Sequence, residues 1–332
     1  MSKFILRLLM LALLSLLPSA SWGVTNAVVG ICTPGTQFST IQAAVNAATP
    51  GSTVKVCPGR YPEQVSISKS LTLNGLALGL STVIVPPAAG FISNTADVFG
   101  PAVAHILVQN AVVNLSNIGV DGGGTGSQGC LPAGTWYGIV YRSAGGTVKN
   151  SAVRNGPLCA GTTAISADTT TNLKLLNNSI HDCLYCISIT NGVNTTISMN
   201  TISGNFLPGF NGIKVQTSPG PTLISGNSVI EMQDAGIKVL NSPAVSIITN
   251  TVSANPFAAG IWLLGATNNV IKSNRINNAA QGIIIDDNGT PGNVAATANV
   301  ISDSNCGMQV GKVLSGTISP NTFYVTAGSY CP

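Results

Sequence analysis

Three side chains recur at one offset in a repeated phrase. Lys214, Lys238 and Trp262 each take the third place of Gly212-Ile-Lys-Val, Gly236-Ile-Lys-Val and Gly260-Ile-Trp-Leu. If Ile and Val of the phrase face inward on a strand, the third residue faces out, because side chains alternate. Two lysines and a tryptophan then lie on consecutive strands of one face. Like charges set directly opposite each other repel unless an anion lies between them. An exposed indole is a flat apolar surface against which a sugar ring stacks. Lys214, Lys238 and Trp262 are therefore the expected substrate-binding residues, for a saccharide and in particular an acidic glycan. Carboxylates sit nearby in sequence: Glu231 and Asp234 in the turn before Gly236, and Asp286-Asp287 at the end of the Gly282 strand. His181-Asp182 lies in the corresponding turn two repeats earlier. With Lys238, the residues Asp286, Asp234 and Glu231 form the candidate catalytic set. A glycosidase needs two carboxyls on one cleft, about 5 to 9.5 Å apart. Adjacent aspartates in a strand point to opposite faces, so Asp286-Asp287 serves only if the strand bends there. A polysaccharide lyase needs a base and charge neutralisation at the uronate, for which Lys214, Lys238 and Asp286 are available.

The elements that must position these groups repeat. Asn178-Ser-Ile, Asn200-Thr-Ile, Asn227-Ser-Val, Asn250-Thr-Val, Asn274-Arg-Ile and Asn299-Val-Ile recur at steps of 22, 27, 23, 24 and 25 residues. The Gly-Ile-x-Val phrase keeps pace, continuing through Gly282-Ile-Ile-Ile and Gly307-Met-Gln-Val. Self-similarity at this period marks a repeat architecture. Each unit holds short runs of period-2 apolarity, such as Val245-Ser-Ile-Ile, which is strand rather than helix. Three short strands and three turns use up roughly 22–27 residues, and only stacked copies bury their apolar faces. The expected fold is all-β: a right-handed parallel β-helix with coils about 4.8 Å apart. The repeated asparagines should stack as an inward ladder, bonding to one another and to backbone.

Phe38–Ala48 carries the one helical pattern, with Ile41, Ala44, Val45 and Ala48 as its apolar stripe and Ser39 or Thr40 as N-cap. A short amphipathic helix suits the open end of a solenoid, where apolar core and strand edges would otherwise be exposed. The expected organisation is a signal peptide over 1–23, an N-terminal cap over 24–52, the β-helix over 53–314 and a C-terminal cap over 315–332. Residues 77–170 are less regular. Asp121-Gly-Gly-Gly-Thr-Gly126 reads as a long loop, and it lacks the Lys-Ser/Thr and the helix of a phosphate loop. Arg142 and Asp168 fall at similar outward positions of neighbouring coils, where a surface salt bridge is expected.

The stretch "TIQAAVNAATPGSTVKVCPGRYPEQVSISKSLTLNGL", Thr40 to Leu76, resembles the entry of the pectin-lyase-like β-helix superfamily. It is similar to NosD-type proteins with parallel β-helix repeats and to the start of pectin methylesterases. Together with the repeats, the resemblance covers nearly all of the mature chain. It implies the fold and leaves activity open, because the superfamily holds lyases, hydrolases, esterases, epimerases and non-enzymes. The Asp-Asp pair of polygalacturonases is present, but their Gly-His-Gly and Arg-Ile-Lys motifs are not. The pectate-lyase signatures are missing, and Asp97-Val-Phe-Gly100 only echoes a methylesterase motif. With two histidines, His105 and His181, an imidazole copper site is not expected.

The first residues read as a secretory signal: Lys3 and Arg7, an apolar run from Leu8 to Leu17, then small residues ending Ser21-Trp22-Gly23. Cleavage is expected after Gly23, which places the mature protein outside the cell or in the periplasm with no membrane span. Charged residues are 7% of the chain, and the formal charge of +4 includes Lys3 and Arg7. No basic cluster exists, which excludes nucleic acid as the expected partner. Eight cysteines in an exported chain suggest disulfides. Connectivity does not follow from sequence; proximity suggests Cys32–Cys57, Cys130–Cys159, Cys183–Cys186 and Cys306–Cys331. A redox or metal role for Cys183-Leu-Tyr-Cys186 is the alternative to a structural bond. No metal site and no cofactor are expected, and nothing indicates Ca2+. Two function classes remain. One is a monomer that binds a polysaccharide or cell-envelope glycan, with or without modifying it as a lyase, hydrolase or epimerase. The other is a non-catalytic surface or periplasmic scaffold, which the shortage of charged side chains favours.

Overall fold

The structure is a computed structural model that describes residues 23–77, 81–98, 100–124, 134–157, 161–204, 209–265, 267–286, 292–311 and 314–331. The chain winds through three parallel ladders for about eleven turns. One ladder is a flat sheet of 13 strands, running from Thr36–Phe38 and Val24–Val29 to Leu314–Ser315. A second consists of the three-residue strands that follow each ladder asparagine, such as Thr201–Ser203 and Ser228–Ile230. The third carries the Gly-Ile-x-Val phrases in Tyr185–Thr190, Gly209–Gln216, Met232–Leu240, Ala259–Leu264 and Gln281–Asp286. Thr95–Asp97, which folds back antiparallel on Gly100–Gln109, departs from this pattern.

The asparagine ladder forms as the spacing predicts. Nδ2 of Asn178, Asn200, Asn227, Asn250 and Asn274 each donates to Oδ1 of the next asparagine at 2.9–3.0 Å. The same Oδ1 atoms accept the preceding backbone N–H, and each Nδ2 also reaches a carbonyl, such as that of Ile197 for Asn227. Asn299 continues to Asn321 at 2.9 Å, a seventh rung. At the other end Ser151 takes the asparagine's place, its N–H donating to Asn178 Oδ1. These side chains are buried, and a buried amide with all its partners met is stabilising where an unmet one is costly.

The glycine of Gly-Ile-x-Val has a packing reason. A Cβ at Gly236 would lie 2.3 Å from Val252 Cγ1, and one at Gly260 2.3 Å from Ile276 Cγ2. The apolar residue of each Asn-x-Ile/Val phrase thus packs directly over the glycine of the preceding Gly-Ile-x-Val phrase, and the two motifs specify one contact. In the early coils the same place holds His105, Gly138, Ala164 and Cys186.

The capping helix spans Ile41–Ala47, shorter than the pattern suggests, and buries Ile41, Ala44 and Val45. Thr40 is its N-cap, accepting from Ala43 N at 3.1 Å. Glu63 from the following coil accepts from the backbone N–H groups of Ile41 and Gln42 at 2.8 and 2.9 Å, which meets donors that a helix start leaves unpaired. Cys32–Cys57, Cys183–Cys186 and Cys306–Cys331 are bonded. Cys183 and Cys186 are fully buried, which removes the solvent access a redox role requires. The Cys130–Cys159 pairing, Asp287 and the segment before Gly23 lie outside the described residues. Arg142 and Asp168 are register partners, but the expected salt bridge between them does not form. Arg142 instead donates to Thr95 Oγ1 and the Ala96 carbonyl, both at 2.7 Å, because the antiparallel hairpin covers it.

Candidate functional site

The outward row of the third ladder is in register as Ser188, Lys214, Lys238, Trp262, Ile284 and Gln309. The strands place Lys214, Lys238 and Trp262 on successive coils. The three side chains do not stand equally open. Lys238 Nζ is 2.7 Å from Asp234 Oδ2 and 3.8 Å from the centre of the Trp262 ring. Its side chain is only 14% exposed. One carboxylate and one indole face therefore hold this cation internally.

Lys214 is different. It is half-buried, forms no ion pair among the described residues, and stands 5.8 Å from the centre of the Tyr185 ring. Burial lowers its pKa, the Lys238 charge lowers it further, and Asp234 acts in the opposite direction. Tyr185 stacks on Phe210, with ring centres 6.0 Å apart and planes 21° apart. Phe210 is 45% exposed. The site is thus a cation without a carboxylate partner, an open aromatic stack beside it, and a neutralised Asp234–Lys238–Trp262 group behind it.

Of the four candidate catalytic residues, Asp234 and Lys238 touch. Asp234 sits in an irregular stretch of pairing, opposite the segment that holds Phe210. Glu231 is exposed in the preceding turn, with φ of 61°, and makes no ion pair among the described residues. Asp286 lies on a different outward row, in register with Leu264, Leu240 and Gln216. The structure does not bring Glu231 or Asp286 to the Asp234–Lys238 pair. His181 Nδ1 contacts Asp182 Oδ2 at 2.9 Å, and His105 is enclosed in the core. Among the described residues, no group of three His, Cys, Asp or Glu side chains is placed to hold a metal ion. Tyr185 and Phe210 escape the sequence pattern. Tyr185 precedes a cysteine where later phrases have glycine, and Phe210 enters through a pairing irregularity that breaks strict alternation.

The family described as right handed beta helix region matches residues 106–256 and 163–323. The chain belongs to this family and has the right-handed parallel β-helix fold of the pectin-lyase-like superfamily. Among solved structures it is similar to the DFA-IIIase from Arthrobacter chlorophenolicus A6, with 17% identity over 92% of this chain and 86% of that one, TM-score 0.59. It is similar to the polygalacturonase from Erwinia carotovora ssp. carotovora, with 13% identity over 96% and 100%, TM-score 0.56. It is also similar to PfbA, a surface adhesin of Streptococcus pneumoniae, with 13% identity over 87% and 88%, TM-score 0.54. At these identities the likeness is one of fold. No curated protein sequence matches the chain.

Proposed function

We propose that this is an exported protein that binds an acidic polysaccharide on the outer face formed by Lys214, Lys238, Trp262, Tyr185 and Phe210. The observation that carries the reading is Lys214, a half-buried cation with no carboxylate partner among the described residues, set beside an exposed aromatic stack. Burial without a counter-ion costs free energy, and an incoming carboxylate removes that cost. A uronate supplies the carboxylate for Lys214 and an apolar ring face for Phe210. Lys238, already paired with Asp234, fixes Trp262 as one wall. Fold neighbours that include a polygalacturonase and a surface adhesin are consistent with this class. Export is supported by the three disulfides, which persist in oxidising compartments. Among the described residues no helix is long and apolar enough to cross a membrane.

A modifying activity is the second reading, favoured by the lowered pKa of Lys214. In that reading the uronate carboxylate does not sit on Lys214, whose amine instead takes the proton α to it. The experiment is calorimetric titration with trigalacturonate, alongside an assay for new unsaturated or reducing ends. Charge-assisted contacts contribute about 1.5–3 kcal/mol, so Lys214→Ala should weaken binding about ten- to a hundredfold. Phe210→Ala should weaken it less. Unchanged binding in both variants would overturn the site.

A further inference from the structure

The turns that join the Gly-Ile-x-Val ladder to the flat sheet differ in length along the solenoid. Counted between register-matched strand residues, three residues separate Ile67 from Leu71, four separate Val108 from Val113 and Tyr141 from Gly146, and five separate Ala167 from Leu173. Along this lengthening edge lies a notch, an open groove of about 440 Å³. Its length spans three coil steps, about 14 Å at the usual strand spacing. The volume lies in the range of small-molecule sites.

The floor is kept low by Gly145, where a Cβ would lie 2.2 Å from the Thr171 carbonyl oxygen, so only glycine fits. Gly145 is the register partner of Val112, which is left 57% exposed. Around this apolar spot stand Asn110, Ser143 and Thr171, whose side chains make no hydrogen bond within the described protein. The charges that flank the turns are all engaged elsewhere. Lys69 donates to the Asn46 and Ala48 carbonyls, and Arg142 to Thr95 and Ala96. Asp168 accepts from Thr169 Oγ1 and Asn191 Nδ2. The notch therefore offers hydroxyls, amides and one apolar patch, and none of its lining residues is charged.

We propose that this notch is a second glycan site, for a short neutral oligosaccharide. Neutral sugars present alternating hydroxyl and C–H surface, which matches unpartnered Asn110, Ser143 and Thr171 around Val112. The site is separate from the Lys214 face and does not depend on it.

The test titrates the full mature chain with maltotriose, cellotriose and chitotriose, followed by ligand-observed NMR. Saturable binding of at least one is expected. Asn110→Gly/Ser143→Gly removes two of the groups at positions of positive φ (52° and 47°), where glycine is well accepted, so folding is not at risk. With Thr171→Val added, binding should weaken at least tenfold while trigalacturonate binding stays unchanged. Lys214→Ala should leave the neutral sugar bound. Absence of binding by all three sugars overturns the proposal, as does a neutral sugar lost with Lys214→Ala or retained by the triple variant.

Discussion

Acid should weaken this solenoid, and His105 is a main cause. It is fully buried, with Phe91 at 4.6 Å and Trp136 at 5.7 Å between ring centres, both edge-on. Neither ring nitrogen has a hydrogen-bond partner. Burial pushes its pKa down to about 3; the Asp121 carboxylate and the nearby Val85 backbone pull weakly the other way. In the unfolded chain the same imidazole titrates near pH 6.5. Below that pH the unfolded state takes up a proton that the folded state refuses, so stability falls as pH falls. The loss grows by about 1.4 kcal/mol per pH unit and levels off only near the folded value of about 3. At about pH 5 it amounts to about 2 kcal/mol, and this figure depends almost wholly on the unfolded pKa. Asp121 also loses its stabilising ionisation in acid. Burial works against its charge, but hydrogen bonds from Asn155 and Gly123 and the Arg154 cation more than offset that. Its contribution cancels when wild type is compared with His105→Phe. Urea unfolding of both proteins between about pH 7.5 and about pH 4 is the assay. The difference in unfolding free energy should shift by about 2 kcal/mol in favour of the variant at about pH 5. Parallel pH profiles would mean instead that His105 is protonated or solvated in the fold.

Three further outcomes follow from the repeat. Asn227→Ala strips partners from the buried Asn200 and Asn250 amides and the Ile197 carbonyl, and should cost about 3–5 kcal/mol in denaturant unfolding. Gly236→Ala forces a methyl to within 2.3 Å of Val252 Cγ1 and should destabilise by about 1–3 kcal/mol or more. Met199 is 67% exposed with φ of 59°, and the equivalent place one coil on is Gly226 at 63°. Met199→Gly should raise the melting temperature, with a gain of about 1 kcal/mol from relief of the left-handed backbone.

The fold was readable because the repeat states its inward contacts outright. Asparagine recurs where a turn needs a buried amide, and glycine recurs where the next valine or isoleucine packs. The outward row Lys214–Lys238–Trp262 was readable too, since period 2 fixes which residues face out. What alternation does not carry is how neighbours on that row pair among themselves. Asp234 reaches Lys238 from a stretch of irregular pairing, so the sequence offered two free lysines where the structure leaves one. Phe210 enters by the same irregularity. The notch at Val112 depends on turn lengths in residues 77–170, where the period is loose and coil boundaries are hard to place by pattern. His105 carried no expected metal role, and its enclosure by Phe91 and Trp136 was not legible from the sequence.

Lys214 can also be probed directly by its chemical reactivity. Its lowered pKa leaves more neutral amine at neutral pH than an ordinary lysine has, so it should react early with an acylating reagent. Mass-spectrometric footprinting of lysines with and without trigalacturonate reads that reactivity residue by residue. Lys214 should be modified early in the free protein and protected by the acidic sugar, while Lys174, exposed on the strand Leu173–Leu176, should be unaffected. Equal modification of Lys214 in both samples would mean that the acidic sugar does not bind there.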